Sequence, residues 1–175
     1  PFSLGEIKEK ITINSKGVSN LSKEQIINKA FKYHSQGNII ESAKYYQYFI
    51  NQGFKDLRAF SNYGVILRDL GKLEEAELSY RKAIELKPDF VEAYSNLGII
   101  LTELGKLKDA EISLRKAIEI KPDFAEAHYN LGNLLKDRGK LKDAELSYSK
   151  AIELKPDYPD AYYSLSLLKY SDENK

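Results

Sequence analysis

The feature that most constrains this 175-residue chain is a period of 34 residues. The tripeptide Lys-Pro-Asp occurs three times at this spacing, beginning at Lys87, Lys121 and Lys155. Residues 91–124 and 125–158 are identical at about 21 of 34 positions, which excludes coincidence. A period of this length is typical of one supersecondary unit repeated along the chain. Stacked units of this kind present an extended surface rather than a closed catalytic pocket.

Each period contains two apolar faces with helical spacing. In residues 57–90 the first face consists of Phe60, Tyr63, Gly64 and Leu67, and the second of Leu73, Ala76, Tyr80, Ala83 and Ile84. Gly71 separates the two faces and suits the left-handed backbone that often ends a helix. Pro88 ends the second helix because proline has no N–H to donate. Each period therefore predicts an antiparallel pair of α-helices.

Two details of the helix pair follow from residue size and capping chemistry. Gly64 and Ala76 are small and are expected to let the two backbones approach closely. Asp89 is expected to cap the following helix, with Glu92 three residues later completing a capping box.

The pattern resembles the tetratricopeptide repeat (TPR) family over residues from about 23 to 170. In residues 91–124 the matching positions are Tyr94, Leu97, Gly98, Leu101, Gly105, Ala110, Leu114, Ala117 and Pro122. In residues 125–158 they are His128, Leu131, Gly132, Leu135, Gly139, Ala144, Tyr148, Ala151 and Pro156. The resemblance implies an all-α, right-handed solenoid of antiparallel helix pairs. The segments PDFVEAYSNLG and PDFAEAHYNLGNLLKDRGKLKDAE are most similar to the arrays that precede the catalytic domain of O-linked N-acetylglucosamine transferases.

The period divides the chain into six segments. They are an N-terminal leader (1–22), a degenerate first repeat (23–56), three further repeats (57–90, 91–124 and 125–158) and an extra C-terminal helix with a tail (159–175). The leader is either flexible or an arm that lies in a groove, its own or a neighbour's. The last helix carries an apolar outer side, so either it contacts a partner or the natural protein continues beyond Lys175.

The resemblance implies that the first helix of each pair lines a concave groove with the face opposite its buried one. The predicted peptide-binding residues are Asn28, Phe31, His34, Arg58, Asn62, Val65, Arg68, Asn96, Ile99, Tyr129, Asn130, Asn133 and Lys136. Ile27, Ser61 and Ser95 fall on the same predicted face.

One series on this face recurs with the period. It consists of Asn28, Asn62, Asn96 and Asn130, and it resembles the asparagine ladder of the transferase arrays. An amide both donates and accepts hydrogen bonds, so such a row could pair with the backbone of an extended peptide. Alternatively, each asparagine bonds only to a neighbouring helix. In the first case, alanine at Asn62, Asn96 and Asn130 should weaken peptide binding and leave thermal stability nearly unchanged.

Two other surfaces carry weaker signals. Some members of the family hold the C-terminus of a ligand in a carboxylate clamp of Lys, Arg and Asn side chains. Asn133 matches one position of such a clamp, but Val65 and Ile99 occupy the equivalent positions of other repeats. Glu92 and Glu126 also bring negative charge, so this mode is disfavoured. On the outer, convex side Leu78, Ile112 and Leu146 form a row with one aliphatic residue per repeat. This row is either ordinary scattered surface apolarity or a lateral contact between molecules.

Composition argues against several classes of function. There are 27 basic and 26 acidic residues, a near balance that disfavours nucleic acid or an anionic membrane as the main partner. The chain has no cysteine, which removes thiolate nucleophiles and cysteine metal sites. His128 is expected in the core, and no catalytic constellation surrounds His34. We therefore expect no enzymatic activity in this chain, no metal and no cofactor, with a cytoplasmic location as the default.

These features predict a non-catalytic scaffold that binds a protein or an extended peptide in the concave groove. Two alternatives stay open. The chain is the N-terminal substrate-recognition array of a longer transferase, or it self-associates into a homo-oligomer through the C-terminal helix or the Leu78 row.

Overall fold

A computed structural model describes residues 21–173, with side chains through Tyr170. Of the predicted leader, residues 1–20 lie outside the described residues. The described part of the chain forms nine α-helices and no strand, which confirms the all-α prediction. It divides into two compact units, with the boundary between Lys87 and Pro88.

The first unit contains two helix pairs. They are α1 (Lys23–Ser35) with α2 (Ile39–Asn51), and α3 (Leu57–Asp69) with α4 (Leu73–Leu86). The second unit contains two pairs and a final helix. They are α5 (Val91–Glu103) with α6 (Leu107–Ile120), α7 (Ala125–Asp137) with α8 (Leu141–Leu154), and α9 (Pro159–Glu173).

The predicted apolar faces meet inside each pair. Phe60, Tyr63 and Leu67 of α3 are buried, and Tyr80 of α4 is almost completely buried. Gly64 is small because a Cβ at this position would lie 2.7 Å from Cζ of the Tyr80 ring. Ala76 is also buried, so close approach depends on small residues on both helices, with the aromatic ring filling the space that the glycine leaves.

Left-handed glycines end the first helix of each complete pair. Gly71 has φ of +71°, a backbone conformation that side chains disfavour, as its position in the sequence predicts. The equivalent residues Gly37, Gly105 and Gly139 have φ of 70, 72 and 71°.

The predicted cap at Asp89 is wrong. Helix α5 begins at Val91 with Phe90 at the N-cap, and the side chain of this N-cap residue makes no capping hydrogen bond. A capping side chain normally belongs to the N-cap residue and accepts a hydrogen bond from the backbone N–H of the second or third helical residue. Asp89 precedes the N-cap residue by one position. Side-chain capping occurs in the first unit instead, where Asp56 accepts hydrogen bonds from the backbone N–H groups of Arg58 and Ala59.

The degenerate first pair accommodates its larger residues by burying them. Phe49 is fully buried and its ring centroid lies 5.2 Å from that of Phe54, the residue that replaces the repeat proline. Ser42 is also buried, and its hydroxyl donates to the carbonyl oxygen of Ala30 at 2.9 Å. The hydroxyl is therefore satisfied across the joint between α1 and α2.

None of the described helices combines the length and the low charge content that crossing a membrane requires.

Candidate functional site

In the first unit, predicted groove residues gather around the ring of Tyr46 on α2. Phe31 and His34 of α1 approach this ring edge-on, with centroid distances of 5.9 and 6.1 Å. From α3, the Asn62 Nδ2 group donates a hydrogen bond to the Tyr46 hydroxyl at 3.2 Å. Tyr46 is fully buried, and this burial raises its pKa to about 12, although the hydrogen bond from Asn62 acts in the opposite direction. The phenol thus stays neutral and links α1, α2 and α3.

Arg58 joins this group but is not a free cation. Its guanidinium lies over the Phe31 ring, 5.1 Å from the centroid. It also forms a fork on Asp56, with Nε 3.3 Å from Oδ1 and Nη2 3.1 Å from Oδ2. Burial favours the neutral carboxyl of Asp56, but the hydrogen bonds from Arg58 outweigh it and hold the pKa below its usual range. The pair offsets the charge that Arg58 would bring to an acidic ligand.

In the second unit, α7 carries an aromatic and amide surface. The Tyr129 ring packs against Tyr148 of α8 and against Tyr158, with centroid distances of 5.9 and 5.0 Å. Asn130 donates from Nδ2 to the Ser95 hydroxyl of α5 at 3.1 Å. The Tyr148 hydroxyl donates to Oδ1 of Asn133 at 2.8 Å. Burial is the main cause that raises the pKa of Tyr148 to about 12, so this donor keeps its proton.

The periodic asparagines have a partly structural role. Asn28 is exposed, whereas Asn62, Asn96 and Asn130 are half-buried. Asn62 and Asn130 each use one amide N–H to bond a residue of the preceding helix pair. At Asn62 and Asn130 the asparagine thus bonds a neighbouring helix through one side of its amide. A peptide-contact role for the series stays a prediction.

Three residues placed on the groove face are buried instead. Ile27, Ser61 and Ser95 are 6, 8 and 3% exposed. The prediction assumed one buried face per helix, but a first helix packs both on its own partner and on adjacent pairs, as α7 does on α8 and on α6. A second face of the helix is therefore covered.

His128 is not the core residue that its spacing predicted. Its side chain is half-buried, and its Nε2 lies 2.9 Å from the carbonyl oxygen of Pro122. The ring thus packs against the loop that precedes α7 rather than inside the helix pair.

The other predicted residues have intermediate or high exposure. Val65 and Ile99 are half-buried, and Arg68 and Lys136 are exposed. On the second helices, Leu78, Ile112 and Leu146 are 64, 67 and 70% exposed. Their side chains point outward as expected, and a lateral contact there stays a prediction.

The sequence analysis did not identify the residues that orient the amides of the site. Tyr46, Tyr148 and Ser95 each hold an amide in place, yet in the sequence they are ordinary repeat-core or helix-face residues. Within the described residues, no group of three acidic or histidine side chains is arranged to hold a metal ion.

Comparisons with known proteins identify the repeat. A family model described as TPR repeat matches residues 64–105, 99–139 and 132–172, which together span more than half of the chain. A search of curated protein sequences found no significant match.

Solved structures share the fold. A structure of MamA is 23% identical with a TM-score of 0.75, and the match covers 86% of this chain and 82% of that one. YrrB, described as a TPR protein with an unusual peptide-binding site, is 22% identical with a TM-score of 0.75, covering 82% of this chain and 74% of that one. An O-GlcNAc transferase variant from Thermobaculum terrenum is 30% identical with a TM-score of 0.61, covering 64% of this chain but only 22% of the transferase. With the helix pairs, the glycine joints and the family match in agreement, this chain belongs to the tetratricopeptide repeat family.

Proposed function

We propose that this chain is a non-catalytic binding module that holds an extended segment of another protein against the outward faces of its first helices. The observation that carries the proposal is the surface of α7. There an aromatic ring and two amides are half-buried, and neighbouring helices hold them in fixed orientations. Surface side chains fixed in this way lose less conformational entropy when a ligand binds.

Apolar and polar side chains have different roles in the proposed binding surface. In the second unit Ile99 and Tyr129 supply apolar area, and Phe31 and Val65 do so in the first unit. Their partial burial leaves surface for a ligand to cover. The amides orient the ligand. The description of YrrB names a peptide-binding site in that protein, and the shared fold supports a ligand of the same class here. The proposal includes a cytoplasmic location.

The experiment is a selection of short peptides from a random phage-displayed library on the full chain, followed by titration of the selected peptides. Two variants form a matched pair. Ile99→Asn changes a first-helix face, and the corresponding position of the next repeat is already Asn133, so asparagine is compatible with the helix. Ile112→Asn makes the same change on the exposed side of a second helix.

We expect Ile99→Asn to weaken peptide binding at least about tenfold, as loss of an apolar anchor does, and Ile112→Asn to leave it unchanged. Equal effects of the two variants, or a library that yields no binder, would reject the proposal.

A second candidate is a recognition array within a longer transferase. It is favoured by the similarity to the Thermobaculum terrenum enzyme, of which this chain spans about a fifth. The coding sequence downstream of Lys175 decides the matter. A glycosyltransferase domain in the same reading frame supports this candidate, and a stop codon rejects it.

A third candidate is self-association through α9. Its large apolar side chains Tyr162, Tyr163, Leu167 and Tyr170 are 50, 66, 50 and 71% exposed. Light scattering over a wide concentration range tests this candidate, with Leu167→Lys as the disrupting variant. A mass that stays monomeric at the highest concentration rejects it.

A further inference from the structure

Helix α9 packs on α8 with one side and exposes an apolar stripe on another. Ala161 and Leu168 belong to the packed side and are 0 and 7% exposed. Tyr163, Leu167 and Tyr170 lie at positions i, i+4 and i+7, and each is at least half exposed. We call these three residues the α9 stripe. Exposed apolar residues that lie next to one another in this way mark contact surfaces.

Helix α1 does not offer a matching apolar surface on its outer side. Gln25 and Lys32 of α1 are exposed. The equivalent residues of α3 are Ala59 and Ile66, and both are fully buried. A repeat array normally ends in a unit whose outer face is polar, and α1 follows this rule. Head-to-tail stacking of copies, with the α9 stripe on this side of α1, is therefore disfavoured.

Helix α9 also differs from a helix that receives a partner within a pair. Helix α7 receives α8 at Gly132, where a Cβ would lie 2.6 Å from the Tyr148 ring. Ser166 occupies the same position in α9 and carries the Cβ that glycine lacks. Lys169 stands where Leu135 of α7 is buried. A helix with tyrosine at the contact point, as in α8, would therefore overlap with α9.

The α9 stripe has nearly the same order of side chains in both directions. Tyr163 precedes Ser166 by three residues, and Tyr170 follows it by four. The Ser166 hydroxyl donates to the carbonyl oxygen of Tyr163 at 2.8 Å, so it can be covered without losing a hydrogen bond. Among the side chains of α9 described through Tyr170, the charged ones are Asp160 and Lys169, and helical spacing places both at the edges of this face. An identical face in the opposite direction therefore brings no like charges together at its centre.

We propose that α9 of one copy packs antiparallel against α9 of a second copy, about a two-fold axis near Ser166. This inference rests on the third candidate function, self-association, and names its interface and its symmetry. Tyr163 of each copy packs against Tyr170 of the other. Ser166 is small and lets the two helices approach at the axis. Because the same patch is used on both copies, the assembly closes at two.

The first test is the mass of the full chain in solution. The contact should be weak, because one helix stripe covers less than the roughly 800 Å² that a standard interface buries on each partner. Sedimentation equilibrium is therefore measured up to high protein concentration. We expect the mass to rise from that of a monomer and to level off at that of a dimer.

Ser166→Lys and Ser166→Glu test the position of the axis. In either variant alone the axis brings two like charges together, and we expect dimerisation at least about tenfold weaker than in the parent. In an equal mixture the two variants bring opposite charges together, and we expect a dimer at least as tight as that of the parent. Recovery on mixing also shows that both variants are folded.

Matched controls change an exposed residue of α8. Ser149→Lys and Ser149→Glu should dimerise like the parent, both alone and in a mixture.

A single thiol gives an independent measurement. The chain has no cysteine, so Ser166→Cys forms a disulfide only with the same residue of a second copy. Such a bond requires the two Cα atoms to come within about 7 Å. In oxidised glutathione we expect covalent dimers of Ser166→Cys to form much faster than those of Ser149→Cys.

Three results would count against this interface, and they separate it from the other proposals. A chain that stays monomeric at the highest concentration overturns both the interface and the third candidate. A mass that grows past the dimer, or a Ser166 mixture no tighter than its components, overturns the two-fold interface and leaves self-association in place. Equal crosslinking of the two cysteine variants does the same. The peptide-binding proposal is decided separately by Ile99→Asn and Ile112→Asn.

Discussion

Gly132 of α7 lies directly beneath the ring of Tyr148 of α8, so that a Cβ on the glycine would fall 2.6 Å from Cδ1 and Cε1 of the ring. The same Cβ would lie only 3.2 Å from Cγ of Tyr148, the ring atom nearest the backbone. A rotation of the ring therefore cannot relieve the overlap. The glycine is a packing requirement of this helix pair.

Gly132→Ala should therefore destabilise the protein. Overpacking costs roughly 1–3 kcal/mol, and alanine recovers up to about 1 kcal/mol of helix propensity. We expect a net loss of about 1–2 kcal/mol in the free energy of unfolding, measured by urea denaturation. Ser149→Ala, on the exposed side of α8, is the control and should be nearly neutral. Stabilisation by Gly132→Ala would mean that the pair opens at no cost.

Asn62→Ala should lower stability although Asn62 lies on the predicted ligand face. It removes the hydrogen bond to the buried Tyr46 hydroxyl, a loss of about 1 kcal/mol. Because this bond lowers the pKa of Tyr46, the substitution should also raise that pKa further, which an alkaline spectrophotometric titration detects. Asn28→Ala, at the exposed position of the same series, should change neither quantity.

Glu111 should contribute more to stability than its counterpart one repeat later. It pairs with Arg115 at 2.8 Å and with Arg138, the C-cap residue of α7, and its side chain is only 16% exposed. Glu145 is more exposed and pairs with Lys169 at 3.6 Å. We expect Glu111→Gln to cost about 0.5–1 kcal/mol and Glu145→Gln to cost almost nothing in neutral solution.

The contribution of Glu111 to stability should decrease as the pH falls. Hydrogen bonding from Arg115, opposed by burial, holds the pKa of Glu111 below its usual range. The stabilisation is therefore present above the pKa of an ordinary glutamate and is lost as the pH falls through the folded-state value. The difference in stability between the parent and Glu111→Gln should disappear in acid. A difference that persists there would show that the substitution acts through packing rather than through charge.

Alkaline solution should destabilise the fold through its buried phenols. Burial raises the pKa of Tyr46, Tyr63, Tyr148 and Tyr158 from 10.0 to about 12. Between these values the unfolded chain releases protons that the folded chain retains, so the free energy of unfolding falls as the pH rises. The slope is at most about 1.4 kcal/mol per pH unit for each phenol. Melting temperatures across this range provide the measurement, and Tyr46→Phe should make the slope shallower.

The outward aliphatic residues of α6 and α8 should tolerate charge. Ile112→Lys and Leu146→Lys change side chains that are 67 and 70% exposed, so each should alter stability by less than about 0.5 kcal/mol. A fall in molecular mass by light scattering in these variants would instead support a lateral contact between molecules.

The helix pairs could be predicted from the sequence because each period repeats the same signals. Gly71 marks the turn, and Gly64 and Tyr80 occupy complementary positions on facing helices. The cap at Asp89 could not be located so well, because a shift of one residue in the start of a helix changes which side chain reaches the free N–H groups.

The details of the candidate site were less predictable for a physical reason. Periodicity places Asn133 and Tyr129 on one face, but the bond from Tyr148 to Asn133 depends on how α8 is rotated against α7. Ser95 was assigned to the ligand face because a single helix shows one polar side. Contact with α7 buries it, and only the packed structure reveals that contact.

Tyr148 joins two properties of the protein in a single side chain. Its ring completes the joint above Gly132, and its hydroxyl sets the direction of the Asn133 amide. If α7 binds the proposed peptide, a substitution of Tyr148 that tightens the core would also change the surface that contacts the ligand, and a substitution that adapts this surface would also change the melting temperature. Under the proposed function, affinity and thermal stability in this repeat would therefore evolve together.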